Sequence, residues 1–307
     1  MNGQSTAVPE ASRDSQINES RGSVPAAVTA MQPFYWSVRR ELWENRSIYI
    51  APVAVAGLVL LGYLIASMGY ALSTPNLAQR RTALEEPYAF AMGVIMGTAF
   101  IVSIFYSLDA LHGERRDRSI LFWKSMPVSD LTTVLSKASI PLIVLPLLSF
   151  AIVVATELIM LGLSSLVLQA SGLSVATLWT MVFQMWLMLL YHLVTVHVLW
   201  YAPIYGWLLL VSGWARRAAF LWAVLPWLAI GVLEKIAFNT WHFAAMLGYR
   251  FEGGPEAITA ADSFPIAPMM HLTPGRFLSS PGLWIGLVVA AAFLAAAVRL
   301  RRCQGPI

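Results

Sequence analysis

The sequence predicts an all-α membrane protein with six transmembrane helices. Three observations predict it. Of the 307 residues, 58% are hydrophobic and only 12% charged, against about 25% charged in a soluble domain, and the mean hydropathy is +0.67. The apolar residues gather into six runs nearly free of charge, each long enough to serve as a membrane span. The basic residues then fall unevenly between the two sides that six spans define. Of the 20 Lys and Arg residues, Arg80, Arg81, Lys235, Arg250 and Arg276 lie on one side and all the others on the side holding both termini. That bias makes the terminal side cytoplasmic.

Each element follows in chain order. Residues 1–33 open with polar residues of mixed charge and no apolar core of signal-peptide length, so a disordered cytoplasmic leader is expected. In 34–46, Phe34, Val38 and Leu42 recur at helical spacing, as do Trp36, Arg40 and Trp43. Aromatic and basic residues together predict a helix lying in the membrane interface; the alternative is the start of the first span.

The first span is 48–72. Residues 73–87 read as a polar loop punctuated by Pro75 and Pro87, and 88–108 as the second span. A charged loop, 109–137, leads to a third span at 138–168, where Pro141 and Pro146 predict a kink or a late start. After a short turn at 169–176, the run 177–211 is too long for one straight crossing, with a bend expected at Pro203 and Gly206. Trp214, Arg216 and Arg217 make a polar break before the fifth span, 218–238. Residues 239–281 are too apolar for a plain linker and are expected to form an outward-facing helical elbow. The sixth span, 283–298, ends at Arg299, Arg301 and Arg302, and 303–307 form a cytoplasmic tail. Cys303 is the single cysteine, so neither a disulfide within the chain nor a cysteine-based metal site is expected.

The charged loop carries the most information. Glu114, Arg115, Arg116, Asp117 and Arg118 are followed by Ile120, Leu121, Phe122 and Trp123, then Lys124. A solvated loop has no use for four consecutive large apolar residues, which should cover the membrane surface or a partner's groove. Ser129 and Asp130, after Pro127, supply a cap for the helix entering the third span.

Ionisable groups inside spans are expensive and mark functional candidates. Glu157 either lines a substrate path or makes one interhelical hydrogen bond. His192 and His197, five residues apart, fall about 140° apart around an α-helix, so they should not share a metal ion. Tyr191 and Tyr201 extend the same polar-aromatic stripe and are path candidates with the histidines. Glu234, beside Lys235, is either an outer gate or an interface boundary. Asp109 and His112 end the second span. Trp179, Trp214 and Trp284 fall at span ends, where an aromatic belt is expected.

The run Glu114-Arg115, Ser119-Ile120-Leu121, Ser125-Met126-Pro127-Val128-Ser129 and Leu135-Ser136-Lys137 resembles the cytoplasmic loop of ABC-2 type exporter permeases. The resemblance extends from Phe34 to Arg302: an interfacial helix, six spans with both termini inside, and an elbow between the fifth and sixth spans. The chain departs from the commoner pattern in its aromatic Phe122-Trp123. The resemblance implies a permease subunit in the plasma (inner) membrane. A second permease half, simplest as a second copy, would complete the pore. Separate cytoplasmic ABC ATPases would bind the coupling helix at Glu114 to Lys124. The chain has no GxxxxGK[ST] phosphate loop, so ATP and Mg are expected on the partner. No cofactor, metal, nucleic-acid partner or enzymatic activity is expected in this chain. The alternative function is an intramembrane enzyme or a haem- or metal-binding subunit, although no HExxH motif is present.

Overall fold

Among the described residues, six helices are long and apolar enough to cross a membrane: Ser47–Ala66, Glu86–Arg116, Asp130–Leu166, Leu178–Trp200, Ala219–Phe238 and Pro281–Cys303. The computed structural model describes residues 26–72, 77–125, 128–170, 176–254 and 274–305, and no strand occurs among them. Hydrocarbon offers no partner to a backbone N–H or C=O, so sequences of this hydropathy close their hydrogen bonds within helices.

Helix α1, Ala26–Glu44, begins before the expected residue 34. Alanines at 26, 27 and 30 favour the helix, and Pro33 is accommodated within it. The remainder of the expected leader, 1–25, lies outside the described residues. Helix α2 is Ser47–Leu72. Helix α3, Leu77–Asp109, takes in most of the expected 73–87 loop. The stretch LAQRRTALEE consists almost entirely of strong helix formers, and its propensity outweighs the single Pro87. The turn itself, 73–76, lies outside the described residues.

The charged loop forms two short helices where one was expected. They are α4, His112–Arg116, and α5, Ile120–Ser125. Arg118, in the left-handed region at φ 58°, breaks them. Helix α6, Asp130–Ser139, begins as expected on Ser129, whose hydroxyl accepts from the Thr132 N–H at 3.0 Å. It runs through a π-helical stretch, Ile140–Val144, into α7, Leu145–Ala170. The widened turn absorbs Pro141 without ending the helix.

Helix α8, Ala176–His192, passes into a second π-helical stretch, Leu193–Trp200, and then, after Tyr201, into α9, Ala202–Trp214. The expected bend lies here, with a proline in the first turn of α9. Helix α10 is Ala219–Phe238, and α11, His242–Phe251, is the described first part of the elbow. Residues 255–273 lie outside the described residues. Helix α12, Pro274–Leu278, leads to α13, Pro281–Cys303.

Helices α2, α3 and α7 pack together along one side of the bundle, and α9 packs along α13 on the other. Gly206 permits the second contact, since a Cβ there would lie 3.3 Å from the Ala290 carbonyl oxygen. Helix α3 joins the two halves. Tyr88 packs near Leu178, Met92 and Ile95 near Leu189 and Leu193, and Leu108 near Leu208. One end of the bundle therefore gathers the residues around Leu111, Lys137, Trp214 and Arg301. This is the basic end.

Candidate functional site

At the basic end, five helices meet in one ion network. Glu114 of α4 accepts from Arg40 Nη2 of α1 at 3.2 Å and from Arg301 Nη1 of α13 at 2.5 Å. Lys137 Nζ of α6 lies 3.2 Å away. Lys137 also donates to Glu41 Oε1 at 2.8 Å, and the Tyr106 hydroxyl of α3 donates to Glu41 Oε2 at 2.8 Å. Arg301 Nε closes the network on Asp130 Oδ1 at 3.1 Å. Glu41, Glu114, Lys137 and Arg301 are all buried. Desolvating such groups costs several kcal/mol each, and close pairing with hydrogen bonds on every face offsets it.

The same short helix is held from a second direction. Arg115 Nη1 donates to the Gly213 carbonyl at 2.6 Å, satisfying an open acceptor at the end of α9. Ser212 Oγ accepts from the Leu111 and His112 N–H groups, both at 2.9 Å. His112 Nδ1 lies 3.1 Å from the Ala215 carbonyl.

The ten loop residues singled out from the sequence therefore divide. Glu114, Arg115 and Ile120 are buried against this chain. Trp123 packs under Arg40, whose guanidinium carbon lies 3.4 Å from the ring centroid. Lys124 reaches the Gln304 carbonyl at 3.0 Å. Arg116, Asp117, Arg118, Leu121 and Phe122 point outward, with Leu121 59% and Phe122 60% exposed. What faces away from the bundle is thus an apolar pair beside a patch of mixed charge, on a firmly held base.

The polar residues of the spans divide as well. Glu157 is 0% exposed and lies between α7 and α8. Its Oε2 accepts from the Trp186 indole N–H at 2.6 Å, while Oε1 is buried without a partner. The bond to Trp186 joins α7 to α8. Glu157→Gln is expected to leave the bundle folded, because an amide oxygen still accepts from Trp186. Glu157→Leu should cost about 1–3 kcal/mol by orphaning the indole; thermal unfolding of the two purified variants checks this.

His192 and His197 line one cavity of about 290 Å³ together with Tyr201 and Glu252. This corrects the expectation of faces about 140° apart, which assumed α-helical geometry. The stretch Leu193–Trp200 is π-helical, and i→i+5 hydrogen bonding brings residue i+5 back over residue i. Tyr191 opens instead on a separate groove beside Thr195 and Phe277. The two tyrosines therefore do not form one stripe. Among the described residues, no cluster of three or more His, Cys, Asp or Glu is placed to hold a metal ion.

The elbow closes over the far side of this cavity. The Tyr201 hydroxyl donates to the Phe251 carbonyl at 2.7 Å, and the Trp200 indole to the Arg250 carbonyl at 3.0 Å. Arg250 lies over the Trp200 ring at 4.2 Å and donates to the Gly282 carbonyl at 3.2 Å. Gly254, at φ +68°, leaves no room for a Cβ, which would come 2.2 Å from Trp200. Glu234 braces the turn into α11. It accepts from the Thr240 hydroxyl at 2.7 Å and from the His242 and Phe243 N–H groups at 2.8 Å each. It thus ties the end of α10 to the start of α11. Neither the five-helix ion network nor the widened turn carried a local sequence signal, since one depends on distant pairing and the other on backbone winding.

No family model, curated protein or solved structure matches this chain.

Proposed function

We propose that this chain is the membrane-spanning half of an ABC-2 type exporter, driven by a separate ATPase that docks at the basic end. One observation carries the reading: Leu121 and Phe122 stand exposed on α5 while the adjoining α4 is ion-paired to α1, α6 and α13. An apolar pair held this way suits a partner's groove, and push or pull applied to it passes to several helices at once. The reading puts the basic end and both termini in the cytoplasm, in agreement with the charge bias. A second copy completes the pathway in the inner membrane. ATP and Mg reside on the partner, and the chain itself performs no chemistry.

On this reading the docking surface is made of the outward residues. Glu114 and Arg115 hold the base, so reversing them disturbs folding and docking together. Leu121→Asp with Phe122→Asp instead touches only exposed positions. This double variant is expected to reach the membrane with normal thermal stability and to lose the co-purifying ATPase. Truncating buried interface anchors typically costs 2 kcal/mol or more, roughly a thirtyfold weakening. Unchanged ATPase recovery in a stable double variant would refute the docking surface. A native chain that never brings down a nucleotide-binding partner would refute the reading as a whole.

A further inference from the structure

The cavity beside the second π-helical stretch has polar walls of one kind. His192 Nδ1 lies 3.1 Å from the Met188 carbonyl oxygen. A carbonyl only accepts, so Nδ1 carries the proton, and in the neutral ring Nε2 is left as an acceptor. That Nε2 is buried without a partner; the Nε2 of His197 is likewise unpartnered and accepts when its Nδ1 carries the proton. The Tyr201 hydroxyl gives its proton to the Phe251 carbonyl, leaving oxygen lone pairs. Glu252 supplies an exposed carboxylate at the edge. Met96, Leu193 and Val196 provide apolar wall, and the Phe100 ring meets His197 edge-on at 6.1 Å.

Such a lining asks its occupant for hydrogen-bond donors and positive charge, and offers apolar and aromatic surface to the rest of it. We propose that this cavity binds a small amphiphilic organic ammonium. Its N–H donors satisfy the unpartnered imidazole nitrogens, Glu252 neutralises its charge, and its apolar body rests against Met96, Leu193 and Val196. An anionic amphiphile of the same size meets lone pairs and a carboxylate here and is disfavoured. As a statement about cargo, this rests on the export reading; as a statement about binding, it does not.

The test is calorimetric titration of the purified full-length chain in lipid nanodiscs, with empty nanodiscs as the blank. Four probes are used: 2-phenylethylammonium, 2-phenylethanol, phenylacetate and Zn²⁺. The ammonium is expected to bind saturably, one per chain. The alcohol should bind about tenfold more weakly, because its hydrogen bonds are not charge-assisted. Phenylacetate should not bind. Glu252→Gln and His192→Leu should each weaken the ammonium about tenfold or more. Glu252 is exposed, so that variant tests the site without disturbing the fold. Phenylacetate binding as tightly as the ammonium would overturn the proposal. So would wild-type affinity in both variants, absence of saturable ammonium binding, or stoichiometric Zn²⁺ binding that His192→Leu abolishes. Loss of the ammonium site while the ATPase still co-purifies removes this inference alone. Loss of the ATPase with the site intact removes the export reading alone.

Discussion

Glu114→Ala is expected to cost about 3–5 kcal/mol, the range for removing one partner of a buried ion pair. The carboxylate is the common acceptor for Arg40 and Arg301 and the near neighbour of Lys137. Removing it leaves the buried Lys137 and Arg301 with one carboxylate each, Glu41 and Asp130, and Arg40 with Glu41 and Glu44. Thermal unfolding in detergent should show a fall of many degrees and a poor folded yield. Glu114→Gln is the informative companion. It fills the same space and accepts one of the same hydrogen bonds, so any loss it shares with alanine is due to charge. A Glu114→Ala protein that melts like the wild type would mean the network contributes no net stability. Replacing the whole set with apolar residues is a different experiment and is expected to be close to neutral, since pairing mainly offsets desolvation.

Trp200→Ala is expected to cost about 3–5 kcal/mol, the range for truncating a packed aromatic, and to release the elbow. Trp200 is 1% exposed and is the surface on which Arg250, Phe277 and Gly254 converge. Hydrogen exchange should report the release. In the variant, amides of α11 should exchange far faster while those of α2 and α7 stay protected. Protection of α11 equal to the wild type would show that Tyr201 and the Glu234 turn suffice to hold it. Trp200→Phe separates packing from hydrogen bonding. It keeps most of the ring but not the N–H donated to Arg250, and about 1 kcal/mol of loss is expected.

Much of the fold was legible because hydrocarbon imposes one rule. Runs such as 48–72 and 88–108 are apolar over the length a bilayer demands, and no competing structure satisfies their backbones. The boundaries were less legible where local composition outvoted punctuation. Pro87 reads as a loop residue, yet it sits inside α3 because the ten residues before it are strong helix formers. The candidate site was legible residue by residue but not in its arrangement. His192, His197 and Tyr201 were recognisable as polar residues in an apolar run. Their convergence depends on a widened turn that residue types do not announce. Glu114 and Arg115 were recognisable as loop charges. The burial of Glu114 depends on Arg40, Lys137 and Arg301, which lie from 23 to 187 residues away, and that of Arg115 on the Gly213 carbonyl, 98 residues away. Solvated charge and buried charge look alike until the partners are in place.

The second π-helical stretch has a bearing on how this chain can change over generations. Between Leu193 and Trp200 the winding accommodates an extra residue that ordinary helical phase would not. Deleting one residue there would restore regular winding and keep the run apolar, so the chain would still insert. The cost would fall inside the octet: a deletion after His197 would leave α8 and α9 in phase, but regular winding would return His192 and His197 to faces about 140° apart. The geometry of the cavity thus fixes the length of this apolar octet.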